Sequence, residues 1–180
     1  MVNGQWSTVK GQRSIVNCPL GTCDAFTKAT GRLKELSIIN YQKVNVERIN
    51  QIIAAKPNLS TALGMEFIST PEDDTCMARM KVDERNRQPF GFLSGGASLA
   101  LAENVAGVGS SALCADCACV GIEVSGSHVQ AVSEGDTVTA YARLQHRGST
   151  LHVWNVDIKN AAGELISTVR VTNYIIKKRS

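Results

Sequence analysis

Residues 94–114 read Ser-Gly-Gly-Ala-Ser-Leu-Ala-Leu-Ala-Glu-Asn-Val-Ala-Gly-Val-Gly-Ser-Ser-Ala-Leu-Cys. Wound at 3.6 residues per turn, this segment puts Ala, Leu and Val on nearly every face and leaves no broad polar stripe for water. A helix of this kind must be covered almost all the way round, which restricts the fold more than any other feature of the chain. Ser94 is suited to an N-cap, and the glycines behind it let backbone or ligand approach closely. Gly107, Gly109, Ser110 and Ser111 are small enough for another element to pack tightly on the helix.

The flanking sequence supplies the cover. Val44, Val46, Ile49, Ile52 and Ile53 are spaced for an amphipathic helix ending before Pro57. Ala62 to Ser69 reads as a strand, Pro71-Glu72-Asp73-Asp74 as a turn, and residues 75–83 as a second strand, with Cys76, Ala78, Met80 and Val82 alternating. After the helix come extended runs at about 118–130, 135–146, 150–160 and 164–176. Short turn signals separate them, among them Arg147-Gly148-Ser149 and Asn160-Ala161-Ala162-Gly163. The reading is an α+β fold, an antiparallel sheet curled around one long central helix.

Residues 1–42 carry no sustained period and read as an atypical extension, disordered or artefactual, ahead of a domain at 43–180. The formal charge of +3 resides in that extension, which holds Lys10, Arg13, Lys28, Arg32 and Lys34 against Asp24 and Glu35. The domain itself balances 14 basic with 14 acidic residues, which argues against a nucleic-acid partner. No run reaches the roughly 20 apolar residues of a spanning helix, and no apolar core follows the N-terminal charges. A cytoplasmic protein without a membrane partner is expected, with its six cysteines as free thiols. Cys114, Cys117 and Cys119 lack a fourth spaced ligand, so no metal is expected.

Glu103 is the outlier of the central segment. A carboxylate in an apolar helix is costly unless it is paired, hydrogen-bonded or functional. It suits a general base or a nucleophile, and equally a carboxylate capping backbone donors at a subunit contact. Upstream, Gln88 offers a side-chain amide, and the N–H groups of Gly95 and Gly96 open the helix, where donors and dipole favour a developing oxyanion.

Gln88-Pro-Phe-Gly-Phe-Leu-Ser-Gly-Gly-Ala-Ser-Leu-Ala-Leu-Ala-Glu resembles the signature of hotdog-fold thioesterases of the phenylacetate-degradation and dihydroxynaphthoyl-CoA type. That pattern is a Gln, then His-Gly-Gly six positions on, then a catalytic Glu or Asp nine positions after the His. Position 94 lies six after Gln88 and nine before Glu103. Val120-Gly-Ile-Glu-Val-Ser-Gly-Ser-His-Val and His146-Arg-Gly-Ser-Thr-Leu-His-Val-Trp resemble two further family segments, so the likeness runs from about Leu59 to Ile176.

The resemblance implies a hotdog fold and hydrolysis of an acyl-CoA, an aromatic acyl group favoured, with CoA as part of the substrate and no other cofactor. It implies Glu103, Gln88, Gly95 and Ser94 as the catalytic set. His128 would line the acyl pocket, and Arg147, Gly148 and Ser149 would lie near the CoA phosphates or pantetheine arm. It further implies a homodimer at least, and a homotetramer. Ser94 departs from the family histidine: it keeps a hydroxyl but reaches less far and cannot become cationic. The rival reading is a non-catalytic acyl-CoA binding or sensing protein; a retained Glu103 argues against it.

Because residues 1–42 lack a periodic apolar pattern, their deletion is expected to leave the melting temperature and turnover nearly unchanged. Differential scanning fluorimetry and a rate assay on the truncated chain check this; insolubility would show that the segment is needed.

Overall fold

In a computed structural model the described residues are 8–9, 12–13, 44–72, 74–114 and 116–177. The chain divides into one unit at Met1–Asn40 and a second at Tyr41–Ser180. In the first, β1 (Thr8–Val9) pairs antiparallel with β2 (Gln12–Arg13). The expectation for residues 1–42 otherwise lies outside the described residues.

The second unit runs α1 (Glu47–Ala54), α2 (Leu59–Ala62), β3 (Met65–Ser69), β4 (Thr75–Lys81), α3 (Gly95–Ala112), β5 (Cys117–His128), β6 (Thr137–Arg147), β7 (Leu151–Lys159) and β8 (Leu165–Lys177). Six strands form one sheet in the order β3-β4-β6-β7-β8-β5, every neighbouring pair antiparallel. The sheet packs on α3, as the expected α+β hotdog layout requires.

Three expectations need correction. Val44 and Val46 precede α1 instead of belonging to it, and both are fully buried in the core. Residues 62–64 are not strand: Asn58 accepts from Thr61 N (3.1 Å) while Thr61 Oγ1 accepts from Asn58 N (3.0 Å), a reciprocal cap that winds α2. Gly64, at φ +70°, then turns the chain into β3. Nor are all cysteines free. The chain reverses from α3 into β5, bringing the Cα atoms of Cys114 and Cys117 to 5.5 Å, and the two are disulfide-bonded. Cys76 and Cys119 are free thiols, and burial pushes the Cys76 thiol up to about 12.

The core lies between α3 and the inward residues of the strands, among them Ala78, Met80, Val138, Ala140, Val156, Ile158, Val169 and Val171. At its centre the small residues of α3 meet Trp154. A β-carbon on Gly109 would lie 2.7 Å from the indole ring. Ser110 Oγ, itself fully buried, accepts from Trp154 Nε1 and from Asn173 Nδ2, each at 2.9 Å.

The two sheet edges differ. Along β3, Asn50 Nδ2 donates to Phe67 O and Val46 N donates to Ser69 Oγ, each at 3.0 Å, so the segment around α1 covers part of that edge. β5 is the opposite edge, 12 residues long, and exposes Val120 (43%) and Ile122 (58%). Among the described residues, no helix is long and apolar enough to cross a membrane.

Ser110→Ala should strand two buried donors at once. A loss of about 2–4 kcal/mol is expected, read as a lower denaturant midpoint at unchanged slope.

Candidate active site

The loop before α3 is held in shape by its own backbone. Gln88 N donates to Phe92 O (2.7 Å) and Gly91 N to Gln88 O (3.0 Å), with Gly91 at φ +81°. Leu93 N donates to Val132 O (2.8 Å) and Ser94 N to Asn86 O (3.0 Å), which fixes where α3 begins. Phe90, at the tip of this loop, is 82% exposed.

Ser94 occupies the N-cap position with extended backbone, but its side chain makes no capping hydrogen bond. Its carbonyl accepts from Ser98 N (3.1 Å) and Ser98 Oγ (3.4 Å). The expected role of the Ser94 hydroxyl as a helix cap is therefore corrected: the position is the cap, and the hydroxyl is not.

A cavity of about 340 Å³ opens beside the helix start, lined by Gln88, Phe92, Gly95, Ser98, His128 and Ser167 among others. Three predicted residues, Gln88, Gly95 and His128, thus share one cavity. His128 Nδ1 and Ser167 Oγ share a hydrogen bond of 2.9 Å. The other ring nitrogen lies over Gly95, where a β-carbon would come within 2.7 Å of Nε2.

Glu103 stands two turns along α3, outside that cavity lining. It is half-buried, less enclosed than an apolar helix suggests, because α3 is only partly covered on this side. Its carboxylate lies against Gly121 of β5, and a β-carbon there would collide with Oε1. β5 carries a register shift between Gly121 and Glu123, so its pairing with β8 is irregular beside the carboxylate.

Arg147, Gly148 and Ser149 form the β6–β7 turn, near the far end of α3. Arg147 Nη2 donates to Leu113 O (3.3 Å) and Gly148 N donates to Leu151 O (2.8 Å). Gly148 packs against His146, whose Nε2 would lie 2.8 Å from an added β-carbon. Beneath the turn His152 is buried, and its pKa is held below the ordinary value by desolvation, then by Arg147 and His146.

Comparison with known proteins gives this arrangement a family. The thioesterase superfamily model matches residues 90–167, from the loop through α3 and into β8. The 1,4-dihydroxy-2-naphthoyl-CoA hydrolase of Escherichia coli is 35% identical over 137 residues, covering 75% of this chain and 97% of that protein. The chain belongs to the thioesterase superfamily. The proofreading thioesterase EntH of Cronobacter turicensis is 37% identical over 115 residues, covering 63% of this chain and 82% of its own. A crystal structure of a variant of thioesterase PA1618 from Pseudomonas aeruginosa superposes with a TM-score of 0.69 at 32% identity, covering 76% of this chain and 97% of that one. This thioesterase therefore has the hotdog fold and hydrolyses a thioester.

Two residues in contact with the candidate site residues escaped the sequence reading. Ser167 reads as one more polar residue on a strand, and only β8 crossing beside β5 makes it the partner of His128. Gly121 could have been flagged, since a glycine inside a strand pattern marks a bulge or a close approach.

Gly121→Ala is expected to displace the flexible Glu103 carboxylate while costing little stability, about 1 kcal/mol. Turnover should fall at least tenfold at a nearly unchanged melting temperature. Equal losses in both would show that Gly121 serves packing alone.

Proposed function

We propose that this thioesterase hydrolyses an acyl-CoA, an aromatic acyl-CoA for preference, to the free acid and CoA. The observation that carries the reading is Glu103: a carboxylate on an apolar helix, facing Gly121 of β5, where a missing side chain leaves it room. Retaining a charge there is costly for a packing element and useful for a reaction.

In this reading Gln88 and Gly95 N–H receive the thioester carbonyl oxygen at the cavity by the helix start. Because Glu103 stands two turns from that cavity on its own chain, the carboxylate that reaches the carbonyl is the partner subunit's Glu103. It either attacks the carbonyl carbon, expelling the CoA sulfur and leaving an anhydride that water opens, or takes the proton of a water that attacks directly. Ser94 is an assisting hydroxyl with no backbone cap to maintain. His128 borders the acyl group, and the Arg147-Gly148-Ser149 turn meets the CoA phosphates or pantetheine arm. No further cofactor is required.

The oligomer follows from the edge of the sheet. A 12-residue outer strand with exposed Val120 and Ile122 is a template for pairing. Its occupant is a second copy of the chain, which would place partner residues beside Glu103 and finish the site. A homodimer is the working unit, and a homotetramer of two such dimers the expected assembly. The reading assigns the protein to the cytoplasm, where CoA esters are made and spent.

Its test is thiol release from benzoyl, phenylacetyl, naphthoyl and medium-chain aliphatic CoA esters. Glu103→Ala should lower kcat at least ~10²-fold with the oligomer intact by light scattering. Ser94→Ala should lower kcat/KM about tenfold or less, the scale of one hydrogen bond. A Glu103→Ala protein keeping more than about half the activity would defeat the assignment of Glu103, whereas a wild type inert on every ester would favour a binding or sensing role.

A further inference from the structure

We propose that His128 is a catalytic residue of this hydrolase: its Nε2–H donates to the thioester carbonyl oxygen alongside Gly95 N–H. The inference rests on the hydrolase reading and adds a donor to it. Position 94, at the helix start, carries a serine whose hydroxyl makes no capping bond, so no imidazole comes from α3 itself. The imidazole in the cavity lining comes from the end of β5, laid over Gly95 at a contact that any β-carbon would block.

The direction of the Ser167 hydrogen bond decides what that ring can do. Ser167 is fully buried, and among the described residues His128 Nδ1 is the side-chain partner of its hydroxyl. A buried hydroxyl proton without an acceptor is costly, so Ser167 Oγ–H donates to Nδ1. The ring proton then sits on Nε2, on the Gly95 side. In that tautomer Nε2 is a donor and has no lone pair to take a proton, so His128 polarises a carbonyl and is not the base.

The step balances without moving the His128 proton. As an oxygen of the partner subunit's Glu103, or of a water it activates, bonds to the carbonyl carbon, the C=O π pair shifts to oxygen, where the two N–H groups hold the charge. Collapse restores C=O and breaks C–S; the pair leaves on the CoA sulfur, which then takes up a proton. Preplaced donors at a developing oxyanion matter most in the transition state, so the effect belongs to kcat more than to KM.

The test uses the full-length protein labelled with ¹⁵N-histidine. Only three histidines are present, so His128→Gln assigns the His128 ring signals by their disappearance. Wild type should show a protonated Nε2 and a bare Nδ1 at His128, and Ser167→Ala should erase that preference. On the best CoA ester, His128→Ala should lower kcat by about 10²-fold with little change in KM. His128→Gln, whose amide can donate but cannot accept a proton as a base does, should recover most of that loss. A His128 proton on Nδ1 in wild type would overturn the proposal. So would equal losses in the Gln and Ala variants, or an Ala variant with more than about half the wild-type kcat. Those results, in a wild type that is active, leave the hydrolase reading standing. A wild type inert on every ester removes that reading and the role of His128 with it.

Discussion

Burial of α3 is the constraint on which the rest of the structure depends. Its apolar surface runs nearly all the way round, so a single flat layer could not cover it, and the sheet must curve. Small residues then set how closely the two layers meet. Gly109 admits the indole of Trp154, and Ser110 accepts from both that indole and the Nδ2 of Asn173 on the next strand. One hydroxyl thus ties α3 to β7 and β8 at the point where an unpartnered polar group would be most costly.

With the inner strands closed over the helix, the seam between α3 and β5 is where chemistry can be housed. The two elements run antiparallel, joined by a short connection that the Cys114–Cys117 disulfide spans. Along this seam the backbone twice gives way to a side chain of the proposed site. Gly121 yields to the Glu103 carboxylate, and Gly95 yields to the His128 ring. The same strand is the outer edge of the sheet. A site at an edge is open to completion by whatever pairs there, which links catalysis to assembly in the proposed dimer.

The polar residues fall into three stations along α3 instead of one cluster. Gln88, Gly95 and His128 gather at the helix start, Glu103 lies two turns on, and the Arg147 turn lies near the helix end, bound to Leu113 O. An extended thioester with an acyl group, a reacting carbonyl and a long phosphorylated arm matches such a spread better than a compact substrate would. In the proposed reaction, donors fixed on backbone or held by a buried serine would need little reorganisation as charge develops.

The sequence by itself determined the fold class, because periodicity and turn chemistry are local. A helix apolar on every face and four extended runs separated by turn residues admit few other layouts, and the Gln88–Ser94–Glu103 spacing pointed to the family. It also located Glu103 and Gln88 as chemically distinctive. What it could not determine were the relations between residues far apart in the chain. The reciprocal cap of Asn58 and Thr61 lay within reach of local reasoning, but the pairing of His128 with Ser167 is set by β8 lying beside β5. The fit of Glu103 against Gly121, the separation of Glu103 from the Gln88 cavity, and the joining of Cys114 to Cys117 are likewise decided by strand order and register. Those follow from how the whole sheet closes on α3, a property that no window of sequence contains.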